Sequence, residues 1–413
     1  MQRGRAFLLV ALTALLAVAS AGAGSAREGT VQHGLGIVFE NRSYRPGDTA
    51  RLDLWSQAGG SLHVQIYQAG PEARRTHAKD KMSGVPRGDP IVVRHPGASV
   101  AIHLGRWLSG LYFARAVTGD GHVGYAPFVL RPSRLGTYRV AVVLPTNTWE
   151  AYNLLDANGD GIGDSWYADP TIHRVDLRRP YSDHGVPRWY SSYNAGFLHW
   201  LAHSGYGADV LSDDDLDAIR SGSRLARLYD LVVFAGHEEY VTPHVYDMVR
   251  RYRDLGGNLA FLSANNFFYR VTRAGHALQG RQRWRDLGRP EASIVGVQYI
   301  GYDEHSFSNA PYQVTGLGAA PWLFRGTGLH NGSRFGNYGI EIDARAPSSP
   351  RNLRVLATVP DVFGSGQTAE MSYYTTRRGA KVFAAGTLNF GSSAEFSVPA
   401  RMLKNLWERL SAP

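Results

Sequence analysis

Between residues 34 and 131 the apolar positions come in short runs of period two: Gly36-Ile-Val-Phe39, Ala50-Arg-Leu-Asp-Leu-Trp55, Leu62-His-Val-Gln-Ile-Tyr67, Ser99-Val-Ala-Ile-His103 and Gly110-Leu-Tyr-Phe-Ala114. Alternation of this kind puts one face of a strand into a core and the other toward water. The turn signals Pro46-Gly-Asp48 and Thr118-Gly-Asp-Gly121 fall between the runs, so the segment predicts an antiparallel, immunoglobulin-like β-sandwich. After Pro132-Ser-Arg134 the period changes. Tyr138-Arg-Val-Ala-Val-Val-Leu144, Gly207-Ala-Asp-Val-Leu211, Leu228-Tyr-Asp-Leu-Val-Val-Phe234 and Leu259-Ala-Phe-Leu262 are nearly continuous apolar runs, typical of strands buried on both faces. Helical spacing intervenes from Asn194 to Gly205 and from Val245 to Leu255, the latter stopping at Gly256-Gly257. This rhythm predicts an α/β unit, a parallel sheet with helices on both faces. Beyond Arg270 the runs Ile294–Ile300, Arg354–Val359 and Lys381–Ala385 read as strands and Pro399–Leu410 as a final helix.

The first residues follow neither pattern. Arg3 and Arg5 precede an apolar run from Phe7 to Val18, and small residues continue through Ala19, Ala21, Ala23 and Ala26. That is the form of a removable signal peptide, too short to span a bilayer comfortably. The organisation expected is therefore a leader over 1–26, a sandwich over 27–133 and an α/β unit over 134–413, exported to the periplasm or the extracellular space with no membrane anchor after cleavage.

Composition narrows the chemistry. The chain of 413 residues has no cysteine, which excludes disulfides, thiolate nucleophiles and cysteine-ligated metals, and leaves oxygen or imidazole to hold any metal. Loss of Arg3 and Arg5 with the leader lowers the formal charge from +9 to +7, and the remaining arginines are scattered singly. Without a basic block or a reading motif, nucleic acid is not an expected partner.

In an open parallel sheet, ligands bind beyond the carboxyl ends of the strands. The segments there are Pro145-Thr-Asn-Thr-Trp-Glu-Ala-Tyr-Asn153, Ala235-Gly-His-Glu-Glu-Tyr240 and Ser263-Ala-Asn-Asn-Phe-Phe-Tyr269, joined by Trp189-Tyr-Ser-Ser-Tyr-Asn-Ala-Gly196. Tyr, Glu, His and Asn thus collect at one rim. Residue by residue a plainer account exists: Tyr152 as one of 22 tyrosines packed in a core, Glu239 as a helix cap, His237 as a packed loop residue.

Taken in order, Trp-Glu-Ala-Tyr-Asn, Ser-Tyr-Asn, Gly-His-Glu-Glu-Tyr and Gly-Gly-Asn-Leu-Ala-Phe-Leu-Ser-Ala-Asn-Asn-Phe resemble the large (beta) subunit of N,N-dimethylformamidase and its relatives, best over Tyr138 to Val271. The resemblance implies a class I glutamine amidotransferase-like α/β fold and a mononuclear ferric ion held by two tyrosinates and a glutamate. On this chain those ligands are Tyr152, Tyr193 and Glu239, with His237 and Asn265 as the nearby catalytic polar residues. It further implies hydrolysis of the C–N bond of a small linear amide or peptide-like substrate. The donor set is chemically sound, because Fe(III) is a hard cation that prefers anionic oxygen. A cysteine-based amidotransferase mechanism is excluded. No small-subunit segment is recognisable, so substrate and oligomeric state stay open.

Directly after Tyr152-Asn153 stands Asp156, Asn158, Asp160 and Asp164 in the pattern Asp-x-Asn-x-Asp-Gly-x-x-Asp. Alternating carboxylates with glycines are a calcium-loop signature, although Tyr167 occupies the twelfth position, where a full EF-hand needs an acid. A shorter, structural Ca2+ loop beside the site is the expectation, with a plain acidic turn as the alternative. Other acids suggest less: Asp213, Asp214 and Asp215 read as a solvated helix start, and Glu341 and Asp343 alternate on a strand and share a face. Two rivals to the hydrolase remain: a non-catalytic exported protein that binds cell-wall sugars or peptides, and a glycosidase that uses carboxylates alone.

Overall fold

The computed structural model describes residues 34–56, 60–94, 99–303 and 308–412. The leader expected over 1–26 lies outside these residues. Near the N-terminus, a three-stranded sheet (Leu35–Phe39, Thr49–Ser56, Ser99–His103) faces a five-stranded one ordered Ser43–Tyr44, Val123–Leu130, Gly110–Thr118, Leu62–Gln68, Val85–Val93. Alternation decides what goes between them: Ala50, Leu52 and Leu54 from one sheet meet Val64, Tyr112, Ala114 and Phe128 from the other. The opposite face of the five-stranded sheet is also covered. Leu111, Phe113 and Val129 enter the core that holds Val140 and Val142, so Gly110–Thr118 is buried almost throughout.

The centre of the molecule is a nine-stranded sheet ordered Asp209–Ser212, Val140–Leu144, Leu231–Phe234, Asn258–Phe261, Lys381–Ala384, Ala369–Thr375, Arg354–Val359, Asn309–Val314, Arg334–Gly339. The first five run parallel to their neighbours, and the remaining pairings are antiparallel. Two smaller sheets are added, one of four strands built mostly from antiparallel pairs and one pairing Gln298–Tyr302 with Glu341–Ala344. The expected α/β class, a glutamine amidotransferase-like parallel sheet with helices on both faces, is therefore corrected: the sheets are mixed and strand predominates over helix. The reason is physical. Apolar runs such as Arg354–Val359 and Lys381–Ala384 report that a strand is buried but not which way it runs. The strand expected over Ile294–Ile300 is also revised, because Gly296 at φ 101° separates a short helix, Ala292–Val295, from the strand Gln298–Tyr302.

In the parallel part, Ala141, Val143, Val232 and Phe261 point to one face of the sheet and Val140, Val142, Val233 and Ala260 to the other. Pro243–Asp254, capped by the Thr242 hydroxyl accepting from the Val245 N–H, covers the first face. Ala195–His203 and Ser397–Ser411 cover the second. Among the described residues no helix is long and apolar enough to cross a membrane.

Candidate metal and catalytic pocket

The strand Val140–Leu144 ends in Pro145 and a short buried helix, Thr146–Ala151, whose C-terminal cap is Tyr152. The neighbouring strand Leu231–Phe234 leads into Gly236-His-Glu-Glu239, and Asn258–Phe261 leads into Asn265. Gly236 is required there, because a Cβ would lie 2.2 Å from the Asn194 side chain. Asn194 directly follows the helical turn Tyr190–Tyr193, which brings Tyr193 to the same place.

Tyr152, Tyr193, His237, Arg188, Trp189 and Asn194 line one small, partly open pocket. The Tyr152 ring meets that of His237 edge-on at 5.6 Å, and its hydroxyl hydrogen-bonds the Glu239 carboxylate. Glu239 is buried and its backbone N–H donates to Thr148 Oγ1 at 3.1 Å. It does not cap the next helix, a task left to Thr242. His237 Nε2 lies 3.5 Å from Glu239 Oε2 and 3.2 Å from Glu341 Oε2. Tyr193, also buried, has Glu341, Tyr167 and Arg188 as its electrostatic neighbours. Asn265 stands one step back: its backbone, left-handed at φ 53°, is held by an N–H donated to Asp343 Oδ1 at 2.8 Å.

His237 Nε2, Glu239 Oε2 and Glu341 Oε2 meet here only as close charge contacts, and Arg188 Nε, Asn194 Nδ2 and Asn265 Oδ1 are buried with no hydrogen-bond partner. Native interiors rarely leave such atoms unpaired, so their concentration in one place marks a site completed by something else. The electrostatics agree. Burial alone lowers the His237 pKa, but Glu341, Glu239 and Asp343 outweigh it and push it up to about 9. Burial and Glu341 raise Glu239 to about 7 against the opposing pull of His237 and Tyr152. Asp343 is raised to about 7 by burial despite the Asn265 N–H. Both phenols are driven upward, first by burial and then by the facing carboxylates. A cation would favour the ionised forms of these carboxyls and phenols together.

The residues present fit a hard metal ion. Tyr152 and Glu239 are in contact, Tyr193 lines the same pocket as Tyr152, and Glu239 Oε2 meets only the His237 imidazole, at 3.5 Å. Among the described residues no group of three or more His, Asp and Glu side chains is arranged to hold a metal ion.

The acidic loop is shaped by its own backbone. Asp156 accepts from the Gly159 and Gly161 N–H groups at 2.7 and 2.8 Å, Asn158 from Asp160 and Asp160 from Ile162 at 2.8 Å each, and Asp164 from Ala157 at 2.8 Å. It leads to Tyr167, which stacks on Tyr152 at 5.0 Å. The solvated helix start expected at Asp213 is corrected. Ser212 caps that helix with Asp215 in a capping box, but Asp213 and Asp215 are buried, and Asp213 Oδ2 accepts from Thr146 Oγ1 at 3.0 Å and the Asn147 N–H at 2.6 Å. Glu238 faces Asp213 behind the pocket, and burial raises both carboxyls, that of Glu238 well above its ordinary value with Asp213 adding to the rise.

The sequence pattern singled out Tyr152, Tyr193, His237, Glu239 and Asn265, all of which the fold brings to this region. It gave Glu341 and Asp343 only a shared face; in the structure Glu341 reaches His237 while Asp343 fixes Asn265. Arg188, one residue ahead of the Trp189–Tyr193 motif, went unread.

A pocket lined by two phenols and one imidazole at the ends of parallel strands, with buried carboxylates against them, is of the kind that serves hydrolytic chemistry. The chain belongs to the N,N-dimethylformamidase beta subunit-like, C-terminal family, whose profile matches residues 67–400. Membership carries hydrolysis of amides, and small-molecule amides as substrates, at the level of the family. No curated protein matches the chain. Solved structures offer distant likenesses only. The mmIFT52 N-terminal domain is 12% identical, covers 51% of this chain and 86% of its own, and gives a TM-score of 0.34. A superoxide reductase (neelaredoxin) from Ignicoccus hospitalis is 12% identical over 24% of this chain and 82% of its own, at 0.17. Scores this low carry no argument.

Proposed function

We propose that the protein hydrolyses the C–N bond of a small linear amide at a mononuclear ferric centre held by Tyr152, Tyr193 and Glu239. The observation that supports this reading is the buried cluster in which His237 Nε2 lies 3.5 Å from Glu239 Oε2 and 3.2 Å from Glu341 Oε2, beside the pocket that Tyr152, Tyr193 and His237 line. A ferric ion held there supplies Lewis acidity toward the amide carbonyl. The rest falls to the chain. His237, between two carboxylates, holds a proton at Nε2 and hands it to the departing nitrogen as the C–N bond breaks and water oxygen bonds to the carbonyl carbon. Glu341 fixes the imidazole for that transfer. Asn265, locked by Asp343, presents its side-chain amide to the oxygen on which negative charge develops. Tyr167 and Trp189 close the walls and limit water.

The test is amine release from a panel of simple linear amides by the protein as purified, after iron chelation and after iron is restored. Activity lost and regained with iron supports the reading; activity indifferent to chelation points to carboxylates acting alone.

Two attributes complete it. Calcium at Asp156, Asn158, Asp160 and Asp164 would order the loop that carries Tyr167, and a rise in Tm on adding calcium to chelator-treated protein checks this. Export by a cleaved leader predicts a mature N-terminus near residue 27 in protein recovered outside the cytoplasm.

A further inference from the structure

Arg188 differs from the other shielded arginines of this protein. Arg42 pairs with Asp214, Arg75 with Glu395, Arg179 with Glu150 and Arg285 with Glu291. Arg188 has no such carboxylate among the described residues, and its Nε is buried without a hydrogen-bond partner. What holds it is aromatic: the guanidinium lies 5.3 Å from the Tyr167 ring centroid and 5.1 Å from that of Trp189. Trp189 is itself fixed in the left-handed region at φ 64°, a conformation costly for a bulky residue and kept only where surroundings impose it. A second cation, the Lys79 ammonium, lies 5.0 Å from the Trp189 ring centroid. All of this borders the pocket that Tyr152, Tyr193 and His237 line.

The charges in the pocket are thus unevenly matched. The carboxylates of the floor have His237, and on the reading above an iron ion, to answer them. Among the described residues the rim cation has no carboxylate. A guanidinium partly withdrawn from water and left without a counterion is unfavourable, and its planar fork suits a carboxylate in two parallel hydrogen bonds. Stacking between rings keeps that fork oriented while leaving its edge free.

We infer that Arg188 recognises a carboxylate on the substrate, so that the amides cleaved here are anionic, of the N-acyl amino acid class. This deepens the amide-hydrolase reading and rests on it. The reaction adds water across the C–N bond: N-acetylglycine yields acetate and glycine, and the glycine carboxylate stays with Arg188 while the amide reaches the floor of the pocket.

The experiment compares acetate release from N-acetylglycine and from its neutral counterpart N-acetylglycinamide. The protein as purified should favour the anion in kcat/KM by on the order of 10–100-fold, the worth of a charge-assisted hydrogen-bond pair. Arg188→Gln should erase the preference mainly through KM, and Arg188→Lys, which keeps the charge but not the fork, should fall between. Equal use of both amides by the unaltered protein, or a preference that survives Arg188→Gln, would overturn the inference while leaving amide hydrolysis standing. Calorimetric titration with N-acetylglycine separates the two claims if neither amide is cleaved. Binding that Arg188→Gln abolishes then supports carboxylate recognition and removes the amidase reading, whereas no binding at all overturns the inference.

Discussion

Single residues give the pocket its character through what they lack. Asn265 illustrates how the roles separate. At φ 53° an asparagine is tolerated and glycine is at ease, so Asn265→Gly should leave Tm unchanged or slightly raised. Loss of its amide from the developing oxyanion should nevertheless lower kcat by roughly 10²–10³. Parallel melting and kinetic measurements check this, and a fall in Tm with kcat preserved would assign Asn265 a purely structural part. His237→Gln removes the proton donor and should lower kcat by roughly 10²–10⁴ in a protein that still melts cooperatively. Which of these residues could be read from sequence follows from where they sit. Tyr152, His237 and Asn265 lie in the segments that follow apolar strands, so strand-end reasoning reaches them. Glu341 and Arg188 arrive from a strand beyond the readable rhythm and from an irregular segment, and only three-dimensional proximity assigns them.

Elements meet where Arg42 crosses from the N-terminal sheets to the larger unit. Its guanidinium donates to Thr146 O at 2.7 Å, Asn147 Oδ1 at 3.0 Å and Asp214 Oδ1 at 2.8 Å, and Asp214 also receives Arg273 at 2.6 Å. These bonds brace the start of the helix that ends in Tyr152. Arg42→Ala should cost about 2 kcal/mol, less than for a fully buried pair because the Asp214 side chain is 34% exposed. Urea unfolding reads the loss. The same junction sets an acid limit. Burial pushes the Asp214 carboxyl up, but Arg42 and Arg273 outweigh it and hold it below the usual carboxylate range. A group whose pKa is depressed on folding contributes stability above its unfolded value, about 4, and loses it as pH falls through the folded value. Below about pH 4, Tm should therefore fall more steeply in the unaltered protein than in Asp214→Asn. Parallel slopes would dismiss this junction as the acid-sensitive one. Strands were legible wherever burial left a periodic trace, as in Thr49–Ser56 or Val140–Leu144, but pairing direction was not. That is why the antiparallel half of the central sheet was missed: Ala369–Thr375, buried at six of its seven positions, has the sequence character of a strand in either orientation.

The whole molecule is tied together by a sheet that serves two cores. Tyr112, Ala114 and Ala116 of Gly110–Thr118 face the sandwich interior, while Leu111 and Phe113 face the core around Val140 and Val142. Phe113→Ala should cost about 3–5 kcal/mol, and calorimetry of the intact protein should give one main transition rather than two. Two well-separated transitions would mean that the shared sheet does not couple its neighbours. The central claim, however, concerns the phenols. Visible absorption of the purified, iron-replete protein, read beside its metal content, tests it most directly. The account predicts stoichiometric iron and a phenolate-to-iron charge-transfer band that Tyr152→Phe and Tyr193→Phe each weaken or shift. A correctly folded protein that takes up no iron, or an iron-bound one whose spectrum ignores both substitutions, would contradict it.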